Sequence, residues 1–368
     1  MDRWTQSKAH TWLQQRPWIC GFNFLPSTAV NFLEMWHPDT FDPQTIESEL
    51  GWASDIGFNA IRVNLPFLGW RHDPDGLLER VDHLMGLACQ FGISTVLCLF
   101  DDCGFGGAEP VWERQPDPVP GVHNSRAVAS PGRASVMDPA LRPSLEAYVR
   151  TIVSTFKADD RLLFWDLYNE PGNRMDFRKS EYSEYDQELE AHALDLMESC
   201  FDWARSEQPN QPLTVAAWKT PAPGEAGEPY RGAIDQAALA LSDIITFHAY
   251  ANRPDAERYA SSLECYGRPL LCTEWMARSI DSRISDQLEM FQSKGIGCFQ
   301  WGLVKGRTQT YLPWPDDLVR AHGGTPDRSI WFHDLLHENG EPYDPAEIQK
   351  IRRLTTESRG EITALAGS

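Results

Sequence analysis

The sequence predicts an α/β protein of the (β/α)8 TIM-barrel class, and three observations carry that expectation. Eight short apolar runs alternate with longer helical patterns from end to end, each run is apolar on both faces, and nearly all end on polar or aromatic residues. Strands apolar on both faces belong to a parallel sheet covered by helices. Polar groups gathered at strand ends fit a barrel, whose site is built at the C-terminal ends of its strands.

The expected strands cover residues 18–24, 60–65, 94–101, 162–169, 213–218, 244–249, 269–274 and 297–301. The expected helices cover 43–56, 77–91, 139–156, 185–206, 233–241, 255–265, 281–294 and 345–354. Asp42-Pro43, Asp138-Pro139 and Asp344-Pro345 each set an N-cap residue before a proline at the first helical turn. Gly57 and Gly92 follow helical patterns and suit left-handed C-caps. A doubly wound open sheet is the alternative, but no GxGxxG follows the first strand, so nothing supports a dinucleotide site. No glycine-serine stretch or like-charge block divides the chain, which is read as one catalytic domain, 1–368. Two connections are long, 102–137 after strand 3 and 302–342 after strand 8, and both are lid or subsite candidates.

The net charge of −20, from 33 Lys and Arg against 53 Asp and Glu, disfavours nucleic acid and anionic membranes as partners. No run approaches the roughly 18 apolar residues of a membrane span. The first 18 residues mix charged and amide side chains with isolated tryptophans, unlike a signal peptide. Eight scattered cysteines without CxxC spacing suggest buried free thiols in a reducing cytoplasm.

The predicted strand ends carry Asn23, Arg62 and Asn64, Asp101 and Asp102, Asn169 and Glu170, Trp218, His248 and Tyr250, Glu274, and Trp301. Glu170 sits in Asn-Glu-Pro-Gly after strand 4, and Glu274 closes the apolar run of strand 7. Strands 4 and 7 face each other across a barrel mouth, so the two glutamates can meet one scissile bond. Glycoside cleavage with retention needs such a pair about 5–5.5 Å apart, one carboxyl protonating the leaving oxygen and the other attacking the anomeric carbon.

At these residues the chain resembles the clan A retaining glycoside hydrolases, with family 5 the best match, over about residues 18 to 301. The resemblance implies that Glu170 of Asn-Glu-Pro is the acid/base and Glu274 of Thr-Glu-Trp the nucleophile. It implies that Asn169 holds the sugar 2-hydroxyl and that Arg62 pairs with the nucleophile. By the same resemblance Tyr250 hydrogen-bonds the nucleophile, His248 adjoins the acid/base, and Trp301 forms the floor under the glycone. Family 5 usually presents a histidine at the end of strand 3, where this chain has Asp101-Asp102-Cys103. Asp101 or Asp102 is expected to bind a sugar hydroxyl there, or His123 to swing in from the long loop, and Trp218 is a further candidate contact. The acid is expected to have a raised pKa in the free protein.

The implied activity is retaining cleavage of β-glycosidic bonds in oligosaccharides or small glycosides, with a carbohydrate as partner and no cofactor. An exo-acting enzyme is favoured, an endo-acting β-glucanase, mannanase or xylanase being the alternative within that chemistry. A carbohydrate-binding barrel without turnover is the non-enzymatic alternative. A metal-dependent hydrolase would want clustered histidines, whereas His72, His83, His123, His248 and His333 stand singly.

Overall fold

The computed structural model describes residues 2–177, 181–182, 187–223, 225 and 227–366. Eight parallel strands are present: β1 (Cys20–Asn23), β2 (Ala60–Asn64), β3 (Ser94–Asp101), β4 (Leu162–Asn169), β5 (Leu213–Thr214), β6 (Ile245–His248), β7 (Leu270–Trp275) and β8 (Gly297–Trp301). Their order around the sheet is β5-β4-β3-β2-β1-β8-β7-β6. The remaining seam, between β5 and β6, is bridged in parallel at Ala217 and Phe247, with Ala217 N donating to Thr246 O at 3.0 Å and His248 N to Ala217 O at 2.9 Å. The sheet is thus a nearly closed (β/α)8 barrel, and the open-sheet alternative is excluded.

The barrel helices are α1 (Pro43–Ile56), α2 (Pro74–Gln90), α3 (Arg142–Phe156), α4 (Gln187–Ser206), α5 (Ala233–Leu241), α6 (Arg253–Leu263), α7 (Ile284–Ser293) and α8 (Pro345–Ala366). Asp42 caps α1 by accepting from Thr45 N, and Gly57 ends it with φ +109°. Asp138 caps a 3-10 turn, Pro139–Leu141, that leads into α3. Helix α2 begins before its expected start because Asp73-Pro74 is another Asp-Pro signal, with Asp73 accepting from Gly76 N. Helix α8 runs 12 residues past its expected end, and residues 185–186 of the expected fourth helix lie outside the described residues. A two-stranded hairpin, Met175–Asp176 with Glu181–Tyr182, follows β4. No helix among the described residues is long and apolar enough to cross a membrane.

An N-terminal helix, Gln6–Gln14, was not anticipated, and it plugs the bottom of the barrel. Its Trp12 and the preceding Trp4 pack with Ile19, Ala60, Phe164, Ile244, Leu271 and Phe299, which lie at or near the strand starts. Trp12 meets Phe164 edge-on at 6.4 Å, and Phe164 meets Phe299 likewise at 6.0 Å. Arg3 anchors the segment by donating to Ser242 O and Leu239 O, and Arg268 donates to Trp4 O. The apolar bottom leaves the upper interior for polar groups.

On β1, a Cβ at Gly21 would lie 2.5 Å from Ala60 O and 2.7 Å from the Phe299 ring. The carbonyl belongs to a ladder and cannot yield. Gly21→Ala is therefore expected to lower unfolding free energy by about 1–3 kcal/mol, read as a lower urea midpoint. Gly51→Ala is the contrast: it sits inside α1 with only the Phe91 ring 3.5 Å away, and should gain roughly 0.5–1 kcal/mol.

Candidate active site

The upper interior is organised by Arg62 of β2, which is 2% exposed. Its Nε donates to Asp166 Oδ2 of β4 at 2.8 Å, Nη1 to Asn23 Oδ1 of β1 at 2.7 Å and to Glu274 Oε1 of β7 at 3.0 Å, and Nη2 to Asn169 Oδ1 of β4 at 2.7 Å. Burial alone pulls the guanidinium pKa down, but the surrounding acidic groups outweigh it and hold the charge firmly. Asn23, Asn169 and Glu274 stand at or near strand ends, and Asp166 lies deeper on β4, three residues before Asn169.

Glu274 accepts from Arg62 on Oε1 and from the Tyr250 hydroxyl on Oε2 at 2.9 Å. Glu170 Oε1 lies 2.7 Å from His248 Nδ1, which stands 3.8 Å from Glu274 Oε2. Glu170 Oε2 accepts from Asn173 Nδ2 at 2.6 Å and from the Cys103 thiol at 3.1 Å. One ligand atom from each of Glu170, His248 and Glu274 falls within 4.8 Å of the others. Such a trio has the donor types of a metal site. The 2.7 Å spacing is that of a hydrogen bond, however, and Arg62 and Tyr250 already take both Glu274 oxygens. The arrangement is one of acid and base.

Burial pushes the Glu170 carboxyl up, but the His248 bond and charge, with the Cys103 and Asn173 bonds, bring it below its ordinary value. His248 is raised, because the two glutamates outweigh the burial that lowers it. Glu274 is raised by burial and by the Glu170 charge, against the pull of His248, Arg62 and Tyr250. Where the sequence leads to the expectation of a raised Glu170, its contacts in the free site hold it below its ordinary value, and it is His248 that is raised.

Local backbone geometry aims Glu170. Glu170 has φ +44°, a conformation rare outside glycine, at the corner where β4 ends. Asn173 N donates to Glu170 O at 3.0 Å, and Asp102 Oδ2 accepts from Gly172 N at 2.7 Å and from the Tyr168 hydroxyl at 2.8 Å. The expected ligand contact of Asp102 is corrected accordingly. The side chain is fully buried beneath the Glu170 turn and braces it.

Asp101 does line the cavity beside Glu274, with Asn169, Arg62, Cys103 and Trp301. Its oxygens accept from Asn64 Nδ2, Asn169 Nδ2 and Cys103 N at 2.8–2.9 Å, so it orders neighbouring amides. The cavity encloses about 510 Å³, including the solvent at its mouth. Trp301 is partly exposed there, with its ring centroid 6.1 Å from that of His333.

His123 does not reach the carboxylates. Its Nδ1 meets Leu312 O at 2.7 Å, its ring packs edge-on against Phe177, Phe332 and His333, and burial lowers its pKa to about 4. It belongs to the roof as a neutral aromatic. Trp218 does not line this cavity: its backbone N donates to Asp235 Oδ1, and among the described residues its buried indole N–H has no partner. Cys103 and Asn173 are the functional contacts that sequence reasoning missed. Asn173, three residues beyond Glu170, carried a readable signal; nothing in the sequence marked the thiol.

A sequence profile of the family described as Cellulase (glycosyl hydrolase family 5) matches residues 21–306. The chain belongs to glycoside hydrolase family 5. As a member it is a retaining glycoside hydrolase. Glu170 directly follows β4, and Glu274 is the next-to-last residue of β7. No curated protein sequence matches the chain. Among solved structures, it is similar to GH5_18 from Streptomyces cattleya in complex with GlcNAc, at 14% identity and TM-score 0.59, covering 94% of this chain and 81% of that one. It is also similar to an exo-β-1,4-mannosidase from Opitutaceae bacterium strain TAV5, at 16% identity and TM-score 0.58, covering 93% and 60%. A xyloglucan-specific endo-β-1,4-glucanase from a metagenomic library, in complex with cellotriose, matches at 15% identity and TM-score 0.56, covering 95% and 99%. At these identities the likeness is one of fold.

Burial raises both Asp102 and Asp334 to about 7. A folded-state pKa above the ordinary carboxyl value gives stability that is full below about pH 4 and lost as pH rises through about 7. Asp102→Asn is thus expected to show a shallower fall in thermal midpoint between pH 4 and 8 than wild type. Parallel curves would contradict the assignment.

Proposed function

We propose that this glycoside hydrolase removes single neutral sugars from the non-reducing end of short β-linked oligosaccharides or small β-glycosides, with Glu274 as nucleophile and Glu170 as acid/base. The observation that carries the direct-displacement reading is the approach of the two carboxyl groups. Their oxygens come within 4.8 Å at the ends of β4 and β7, a spacing that suits direct attack and is short of the roughly 6.5–9.5 Å needed to seat a water between them.

The catalytic cycle follows from the contacts. The shared proton passes from His248 Nδ1 to Glu170 Oε1 along their 2.7 Å contact, leaving the pair's total charge unchanged. Exclusion of water by the substrate favours that neutral pair. Glu274 attacks the anomeric carbon as the leaving oxygen takes the Glu170 proton, and a glycosyl ester forms. Glu170, now a carboxylate, removes a proton from water, whose oxygen displaces Glu274. The water proton restores the starting state, and two inversions give net retention. Arg62 and Tyr250 hold Glu274 for attack. Asn169 donates to Asp101 at 2.9 Å and to the Cys103 sulfur at 3.3 Å, so a sugar hydroxyl that takes an Asn169 N–H displaces the weaker acceptor, sulfur.

Two features support a terminal, neutral glycone. The loops after β3 and β8 are stitched together over the mouth: Asn124 N donates to Thr308 O at 2.8 Å, Gln309 Nε2 to Val119 O and Val122 O at 2.7 and 3.0 Å, and Gly121 N to Gln309 Oε1 at 3.0 Å. The cavity's cation, Arg62, has every nitrogen committed within the protein, and Asp101 and Glu274 add negative charge that disfavours an acidic sugar. A reducing, cytoplasmic setting is supported by eight cysteines without disulfides, six of them buried.

Glu274→Ala and Glu170→Ala should each reduce turnover of a natural substrate by about 10³-fold or more. Azide discriminates the roles: the Glu274 variant should yield the α-glycosyl azide, by one inversion, and the Glu170 variant the β-glycosyl azide, by two. The same anomer from both would contradict the assignment.

A further inference from the structure

Five asparagines line the cavity beside Glu274: Asn23, Asn31, Asn64, Asn124 and Asn169. Four are committed to the protein. Asn23 bridges Arg62 and Thr273 O, Asn31 bridges Gln115, Arg126 O and Glu34 N, Asn64 donates to Asp101, and Asn169 serves Arg62 and Asp101. Asn124 differs. Among the described residues its carboxamide has no hydrogen-bond partner, although the residue is only 8% exposed.

The isolation is specific to this side chain. Its neighbours are tied into the loop: His123 to Leu312 O, Ser125 to Val119 N, and Arg126 to Asp117 O. The Asn124 backbone is tied too, through N to Thr308 O at 2.8 Å and through O to Ala127 N at 3.0 Å. It is held at φ +44°, which asparagine tolerates better than most residues. The residue is buried, yet its carboxamide nitrogen and oxygen are not sealed from solvent, so they stay open to a ligand in the cavity. Here backbone strain and loop stitching fix a free amide against the same cavity that holds the nucleophile.

We infer that Asn124 is a specificity-determining residue that hydrogen-bonds a hydroxyl of the terminal sugar in the glycone subsite. The carboxamide offers both a donor and an acceptor, matching the dual character of an alcohol. A pyranose seated on Trp301 with its anomeric carbon at Glu274 presents its remote hydroxyls to the loop after β3. Asn124 therefore reads the sugar at the edge that a longer chain would need to extend through. The inference rests on the glycosidase reading above and adds the side chain that selects the glycone.

The test is a functional-group cycle. The substrates are 4-nitrophenyl β-D-mannoside, β-D-glucoside and N-acetyl-β-D-glucosaminide, then the 3-, 4- and 6-deoxy forms of the one cleaved fastest. Asn124→Gly removes the carboxamide and accepts the left-handed backbone, and Asn124→Asp keeps size and backbone tolerance but loses the N–H donors. Each variant should lower kcat/KM on the parent glycoside by about tenfold or more. With one deoxy substrate, wild type and Asn124→Gly should agree within about threefold, since the partner hydroxyl is already gone. Equal losses on every substrate, or no loss on the parent, overturn the role of Asn124 while leaving the glycosidase reading intact. If wild type releases nitrophenol from none of the panel, the glycone reading fails and takes this inference with it. Should the glycine variant unfold, Asn124→Asp read on the same set decides.

Discussion

The Arg62 guanidinium is the constraint on which the site depends. A buried cation without acceptors would cost several kcal/mol, so the fold surrounds it with groups from β1, β4 and β7. Satisfying one charge thereby fixes the spacing of strands that are distant in sequence. Asp166 lies below and pairs with the guanidinium at 2.8 Å, and Glu274 lies above and shares the same positive charge. Arg62 both seals the polar upper layer and orients Glu274. The apolar plug of Trp4, Trp12, Phe164 and Phe299 keeps that layer at one end of the barrel.

From that layer Glu170 is positioned outward by a second set of contacts. Asp102 holds Gly172 N and the Tyr168 hydroxyl, the turn that follows puts Glu170 at positive φ, and Asn173, Cys103 and His248 then take both carboxyl oxygens. The two glutamates are thus held by different strategies. Glu274 is held by a cation and a phenol, and Glu170 by partners that exchange or modulate a proton. This asymmetry suits a nucleophile and an acid/base working on one bond.

Much of this was legible in the sequence, for physical reasons that can be named. Strands buried on both faces produce continuous apolar runs, and β3, β4 and β8 fall on their expected residues. Asp-Pro caps and the glycine at 57 gave the limits of α1. Strand β5 was shorter than its apolar run because past Thr214 its pairing is reduced to a bridge at Ala217. The N-terminal helix escaped notice since its stability comes from seating Trp12 under the barrel, not from a strong apolar stripe. At the site, Arg62, Asn169, Glu170, His248, Tyr250 and Glu274 are brought together because each lies in a barrel strand or within two residues of its C-terminal end. Asp102, His123 and Trp218 could not be resolved from sequence. Whether a strand-end or loop residue faces the cavity or braces its rim depends on long-range contacts, such as Asp102 with Gly172 and His123 with Leu312.

The most direct test of the account is intact-protein mass spectrometry after reaction with a 2-deoxy-2-fluoro β-glycoside bearing a good leaving group. The fluorine destabilises the oxocarbenium-like transition states, and the activated leaving group lets the first step outrun the second. The account predicts a mass increase of one fluoroglycosyl unit, located on the peptide containing Glu274 and absent from Glu274→Ala. Labelling at another residue, or retained turnover of unmodified substrate by Glu274→Ala, would contradict it.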